Sequence, residues 1–381
     1  MTGIWVAGCG GEPPAVIVDE QPIPAPSRIF FITVDTLRAD HLGAYGYPRN
    51  TSPNLDRLAR EGVLFRRAIA QWPKTTPSFG SIFTGQYPQT NGMTHRAARG
   101  LYYPFLTLAE MVQGAGYFTA AVISNPVLRK SLGWDQGFDR YWQSWKTDED
   151  LGSDALKYRE VINAQRVNSM APYLLERIEP HERSFVWIHY SDPHTPYLLP
   201  AETPNPFLGD EYDVGDELVP EDLEAKLRIG DEDRLAFYVA QYDANVREAD
   251  RAIGEILQIA KDRGLLNDAL VIISSDHGEA MGEHDSYFRH GPLPYNTGSH
   301  VPLIFYYPGA IEGGRVVETP VEMIDLYPTL AELIGGEIPP EIEGTSLVPL
   351  LRDPTSKVDA GEHSYAFSEA GQPLALRHYY R

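Results

Sequence analysis

Residues 28–34 read RIFFITV, an apolar run of strand length that stops at Asp35. No polar alternation runs through it, which is the pattern of a strand buried on both faces. Comparable runs cover 63–70, 117–123 (YFTAAVI), 184–190 (SFVWIHY), 268–275 (DALVIISS) and 301–307 (VPLIFYY). Between them lie helical patterns at 105–114, 155–179, 231–263 and 323–335, and TSPNLDRLAREG spells a further helix. In that segment Ser52 can cap, Pro53 suits the first turn and Gly62 stops the helix. Strands alternating with helices predict an α/β fold with a mostly parallel central sheet flanked by helices. Residues 1–27 read as a leader and proline-rich linker, 28–340 as the main domain, and 198–230 within it as a surface excursion or lid. From 341 to 381 a small C-terminal α+β subdomain begins, with strands in HSYAFSE and LALRHYYR. The second of these needs a partner, and the subdomain reads as truncated.

Composition narrows the function. The chain has 381 residues and a net charge of −21, so its surface repels polyphosphate and nonspecific nucleic-acid binding is not expected. A small anionic ester is not excluded, because a bound cation can reverse the sign locally. The sole cysteine, Cys9, forbids an intramolecular disulfide. Its context, IWVAGCGGEPP, looks like the end of a bacterial lipoprotein signal, although the apolar run before it is only a few residues; the alternative is an accidental match. The expectation is a periplasmic or outer-surface lipoprotein, otherwise a soluble protein, that meets a membrane only through a lipid anchor at Cys9.

Ligands of open α/β sheets collect at the carboxyl ends of the strands, and here those ends carry unusual chemistry. Asp35 closes the first strand, HYSDPHTPY supplies His189, Asp192 and His194, and SSDHGEAMGEHDSYFRHG supplies Asp276, His277, Glu279, His284 and His290. His300 opens the next strand. Two Asp and one His make a divalent-metal site of mixed oxygen and nitrogen character, best suited to Zn or Mn, with Ca or Mg as further options. Each residue also has an ordinary reading, the Asp as turn caps and the His as solvated loop residues. The stretch QWPKTTPSFGSIFTGQYP raises a parallel choice. Pro77 suits a first helical turn with Thr75 or Thr76 at the cap. Either the hydroxyls only cap, or one is a nucleophile that a base or metal must activate.

The motifs resemble the sulfatase family of the alkaline phosphatase superfamily. FFITVDTLRADHLGAYGYPRNTSPNLDRLAREGVLF looks like that family's amino-terminal signature, and TTPSFGSIFTGQYP is similar to its C-x-P-S-R-x-x-x-x-T-G nucleophile motif. VREADRAIGEIL, VIISSDHGEAMGEHD, HVPLIFYYPG and IEGTSLVPLL extend the resemblance over roughly residues 28–352. It implies Asp35, Asp276 and His277 as metal ligands. Counting back from Thr84-Gly85, it implies Thr75 in the nucleophile slot, where its Oγ would also complete the metal's shell as a fourth ligand. His194 matches the histidine of the PHxPY motif, and His290 falls near a sulfate-binding lysine. Asp192, His194, His290, His300 and Asn125 are expected to bind substrate or a second metal.

The departures from the family are as informative. The slot that holds a formylglycine precursor is Thr75, so no formylglycine is expected. The arginine after Pro-Ser is Phe79, VISNPVL around Asn125 replaces a Lys- and His-bearing motif, and Thr36 stands where many sulfatases have a second metal-binding Asp. Threonine nucleophiles occur in related nucleotide phosphodiesterases and phosphoethanolamine transferases, and the latter pattern is similar to DHGE, HG and SHVP here. The sequence therefore predicts a metal-dependent hydrolase of sulfate or phosphate esters using Thr75, with His194 and His290 as further catalytic residues and chemistry leaning to phosphoesters. The alternatives are a true sulfuric ester hydrolase, a phosphoethanolamine-type transferase and a catalytically silent glycan-binding relative. Expected partners are a small anionic ester, a sulfated or phosphorylated glycan or a lipid head group.

Overall fold

The computed structural model describes residues 22–94, 100–101, 105–146, 162–200, 202–209, 217–356, 366–370 and 376–380. Cys9 and the expected tether lie outside the described residues, as does the start of the 155–179 helical pattern. The strands are β1 Arg28–Val34, β2 Val63–Ile69, β3 Phe118–Ile123, β4 Arg140–Gln143, β5 Ser184–Tyr190, β6 Ala269–Ser274, β7 Ala280–Met281, β8 Tyr287–Arg289, β9 His300–Tyr306, β10 Arg315–Val317, β11 Val321–Glu322, β12 Ala366–Ala370 and β13 Leu376–Tyr380.

The main sheet runs β10-β2-β9-β6-β1-β5-β3-β4, with β11 also paired to β2. Its pairs are parallel except those that β9 makes with β2 and β6. β1 sits in register between β5 and β6, and alternate side chains along it feed opposite cores. Ile29 and Phe31 join Phe79, Phe83 and Trp187 on one face; Phe30, Ile32 and Val34 join Tyr190, Tyr238 and Ile253 on the other. A strand covered on both faces has no solvent side to make polar, which is why its sequence lacks alternation. The helix Val348–Arg352 adds Val348, Leu350 and Leu351 to the first of these cores. β12 and β13 pair antiparallel, so the strand in LALRHYYR finds its partner in HSYAFSE.

Several helix ends are held from a distance. Helix α1, Pro53–Glu61, has Ser52 at its cap position, but the Ser52 hydroxyl donates to Asp56 Oδ1 at 2.9 Å. The free N–H groups of Asn54 and Leu55 instead reach Asp250, at 3.0 and 2.8 Å, on the long helix Leu235–Asp262. The pattern at 155–179 resolves, among the described residues, into Ala164–Asn168 and Ala171–Ile178. Pro172 lacks the N–H that a continuous helix would need, and Asn163 caps the first piece.

The long helix also fixes the loop that follows β1. Tyr242 donates its hydroxyl proton to the Thr36 carbonyl at 2.7 Å and accepts the Arg38 N–H at 3.0 Å. Buried Asp243 accepts from His41 Nδ1, the Tyr47 hydroxyl and Arg49, at 2.7, 2.6 and 2.8 Å. Arg38 forms a fork with Asp40 at 2.9 and 2.8 Å. Asp40 and His41 thus organise this loop. Because Asp243→Ala leaves a buried guanidinium without its carboxylate, it should lower the unfolding free energy by about 3–5 kcal/mol in a denaturant titration. A loss below about 1 kcal/mol would mean that the Asp243 contacts do not hold the loop.

Candidate active site

Parallel pairing of β1 with β6 brings Asp35 and the Asp276-His277 pair to the same edge of the sheet. Both carboxylates and the imidazole are fully buried, and one ligand atom from each lies within 4.8 Å of the others. Asp35 Oδ1 and Asp276 Oδ2 have no hydrogen-bond partner. His277 Nδ1 donates to the Gly278 carbonyl at 2.8 Å, which leaves the Nε2 lone pair facing the two acids. Nε2 stands 3.3 Å from Asp276 Oδ2 and 3.8 Å from Asp35 Oδ1. Two orphaned carboxylate oxygens and one imidazole nitrogen form a donor set that fits a divalent cation.

Helix α2, Thr75–Thr84, aims its N-terminus at this cluster. Lys74, not a threonine, takes the cap position, and Pro77 lies in the first turn as the sequence predicts. The Thr75 hydroxyl is therefore released from capping and lies 3.2 Å from His277 Nε2. Ser78 Oγ donates to the Asp276 carbonyl at 2.6 Å and clips the helix to the acidic loop. Thr36 holds a φ of 56°, a region that a β-branched residue enters at a cost of about 1–3 kcal/mol. Its hydroxyl donates to the Asp35 carbonyl at 2.7 Å, outside the cluster, while its N–H reaches Asp276 Oδ1 at 3.4 Å.

The two acids titrate unequally. Burial pushes the Asp276 carboxyl well up, and the neighbouring Asp35 adds to the rise. Burial also acts on Asp35, but His194, His189 and His277 outweigh it and hold Asp35 below the ordinary carboxylate range. The Asn125 amide donates to Asp35 Oδ2 as well. Without a cation, protonation is therefore favoured on Asp276 over Asp35. Burial and then His290 push His277 well down, so it stays neutral with its lone pair available.

A cavity of ≈ 230 Å³ opens onto Thr75, lined by Lys74, Thr76, Asn125, His194 and His290 among others. His290 packs 4.5 Å from the His277 ring and 5.1 Å from the His194 ring. His290 Nδ1 donates to Glu279 at 2.8 Å, and Glu279 also accepts the Tyr197 hydroxyl at 2.6 Å. His194 Nδ1 donates to the Thr195 carbonyl at 2.6 Å. Each histidine thus has its δ nitrogen committed and its ε nitrogen left for the site.

Of the residues singled out in the sequence, Asp35, Thr75, Asn125, His194, Asp276, His277 and His290 come together. Two do not. Asp192 accepts the Ala164 N–H at 2.6 Å and serves the short helix that starts there. His300 heads the antiparallel strand β9, beside the end of β2, and its Nε2 donates to the Arg66 carbonyl at 2.9 Å. The sequence reading passes over Lys74. Its only signal was charge, as the sole Lys or Arg between Arg67 and Arg96. It also leaves His189 without a role. Thr33 accepts the Trp187 indole N–H and bonds His189 Nδ1, placing His189 Nε2 3.7 Å from Asp35.

Solved structures share this architecture. A phosphonate monoester hydrolase from Silicibacter pomeroyi superposes with a TM-score of 0.71 at 24% identity, covering 91% of this chain and 81% of its own. A protein solved in complex with D-glucosamine-2-N,6-O-disulfate gives 0.71 at 22% identity, with 93% and 86% coverage. The fold is the α/β fold of alkaline phosphatase- and sulfatase-like hydrolases. The family model Sulfatase matches residues 27–336, and the chain belongs to that family of ester-acting hydrolases. An ulvan-active sulfatase of Formosa agariphila is 29% identical over 365 residues, 90% of this chain and 68% of the relative. An arylsulfatase of Clostridium perfringens is 27% identical, over 89% of this chain and 82% of the relative. Members of the superfamily are metal-dependent.

Cation loading should be visible in stability. Added Zn²⁺ or Mn²⁺ should raise the unfolding free energy, by about 2.7 kcal/mol at 100 times the dissociation constant. Asp276→Asn should make the chelated protein more stable, because it removes a buried ionisable acid, yet abolish the gain from metal. Since Asp276 holds a proton until the cation displaces it, affinity should rise with pH. Equal stabilisation of the variant, or affinity that falls with pH, would contradict this assignment.

Proposed function

We propose that the chain is a metal-dependent hydrolase of phosphate or sulfate esters in which Thr75 is the nucleophile, with phosphoester cleavage the favoured chemistry. The observation that carries this reading is the Thr75 hydroxyl itself, 3.2 Å from His277 Nε2 and beside two orphaned carboxylate oxygens at a buried helix N-terminus. Asp35, Asp276 and His277 would hold the cation. Bound there, it would supply the Lewis-acid charge that lowers a hydroxyl's pKa and offsets charge on ester oxygens.

The chain's own groups then divide the work. Thr75 Oγ, its proton lost to solvent, attacks phosphorus or sulfur opposite the leaving oxygen. The bond from Oγ forms as the ester bond breaks, and His194 or His290, when it carries a second proton on Nε2 beside the one on Nδ1, gives that second proton to the departing oxygen. A water then gives a proton back to that histidine and attacks the same centre, releasing the phosphate or sulfate product and restoring Thr75. First-turn N–H groups of α2 face the non-bridging oxygens. A phosphoryl transition state asks chiefly for positioning and charge, which a bound cation and the N-terminus of α2 would supply.

One observation favours a second reading, a sulfuric ester hydrolase with Thr75 or an activated water. The curated relatives bear sulfatase names, one of them active on ulvan, and a structural neighbour binds a disulfated glucosamine. A sulfated or phosphorylated glycan is therefore the proposed substrate class. Thr75→Ala should lower turnover of nitrophenyl phosphate, bis(nitrophenyl) phosphate and nitrophenyl sulfate by at least about 10³-fold while metal content stays near that of the wild type. Full activity in that variant would overturn the assignment and move attention to Thr76. The ratio of phosphate to sulfate ester turnover separates the two readings.

A further inference from the structure

The residues described so far leave a charge deficit at the position the ester would occupy. Asp35 and Asp276 consume the positive charge of a bound divalent cation, and Glu279 faces His290. The next inward turn of α2 cannot supply a cation, because Phe79 is fully buried against Trp187 and His189, with ring centroids 5.1 Å from each. Asn125 is turned towards Asp35. An anion with no protein cation beside it would meet only neutral donors and histidines.

One described residue on the cavity wall reverses this. Lys74 immediately precedes Thr75, occupies the cap position of α2 and is the single Lys or Arg among the described residues lining the cavity. Its side chain runs past Gly291, the residue after His290: a Cβ built there would lie 3.6 Å from Lys74 Cδ and 3.7 Å from Nζ. Gly291 itself has a φ of +101°, which keeps that wall free of a side chain. Lys74, Thr75 and His290 line the same cavity, and the lysine side chain passes along the residue that follows His290. Lysine suits this place because it is a compact charge on a flexible stem, able to follow an oxygen through a displacement.

We propose that Lys74 is the specificity-determining cation of the site, binding the non-bridging oxygens of a tetrahedral phosphate or sulfate group in place of the cation that Phe79 excludes. This rests on the reading that the cavity receives the ester, and it adds the group that recognises the ester's charge. Lys74 acts on the anion directly, so its removal should be felt in binding as well as in turnover.

The test uses the full chain loaded with Zn²⁺ or Mn²⁺ and titrated with inorganic phosphate and inorganic sulfate in separate calorimetric arms. For Lys74→Met the dissociation constant of the anion that the wild type binds should rise roughly 10- to 100-fold, the effect of losing one charged hydrogen bond. Lys74→Arg should recover part of that loss, with metal stoichiometry and thermal midpoint close to wild type in both. With an ester substrate, KM should rise along with the loss in kcat/KM. If Lys74→Met folds poorly, Lys74→Gln carries the same expectation. The arm in which the wild type binds more tightly identifies the anion. Binding by the variants within about twofold of wild type overturns the proposal, as does a wild type that binds neither anion. A wild type that binds phosphate or sulfate through Lys74 but cleaves no ester would sink the proposed reaction and leave this anion site standing. Normal binding in Lys74→Met alongside active wild type would do the reverse.

Discussion

Two carboxylates are buried side by side where strands β1 and β6 end, and neither has a lysine or arginine partner among the described residues. Burying such groups unpaired costs several kcal/mol per charge, so the surrounding structure is organised to bear them. Asn125 and the Thr36 N–H give each acid one hydrogen bond, and Ser78 ties the α2 N-terminus to the same loop. Thr36 is held in a left-handed backbone by Tyr242, which is itself carried by the long helix. The site is thus a buried acidic cluster whose donor set fits a divalent cation. Thr75 is presented to it by a helix whose cap position was given to another residue.

Much of this was legible in the chain because it depends on short-range patterns. Apolar runs marked the strands, and because most of these run parallel, the polar residues after Val34 and Ser274 had to meet at one edge. His290 and His194 followed from motif spacing. What failed to show depends on partners far away in sequence. Asp250 caps a helix that begins at Pro53, and no local pattern reports that contact. His300 looks like the other loop histidines, yet it heads the one antiparallel strand of the sheet and spends its Nε2 proton on the Arg66 carbonyl. Asp192 lies two residues from His194 but serves a helix end. The break between Asn168 and Ala171 was foreshadowed by Pro172, although the hydrophobic spacing runs through it.

The differences from the family pattern have a common physical sense. Where the family pattern has an arginine, Phe79 packs edge-on against His189 in the core, and His189 turns its Nε2 towards Asp35. A threonine nucleophile would need its hydroxyl pKa lowered, and a cation held by Asp35, Asp276 and His277 would supply that charge. The membership of the chain in the sulfatase family fixes the frame in which this happens. The choice between phosphorus and sulfur depends on the charge and shape of the anion that the cavity accepts.

The most direct measurement is the mass of the protein caught during turnover. Metal-loaded wild type mixed with a cleavable ester, quenched in acid and mapped by peptide mass spectrometry should carry one phosphoryl or sulfuryl group on the peptide containing Thr75, located at Thr75 by fragmentation. The modification should decay on chase with water and be absent from Thr75→Ala. Steady turnover with Thr75 unmodified at every quench time, or modification found at Thr76 instead, would contradict a threonine nucleophile at position 75.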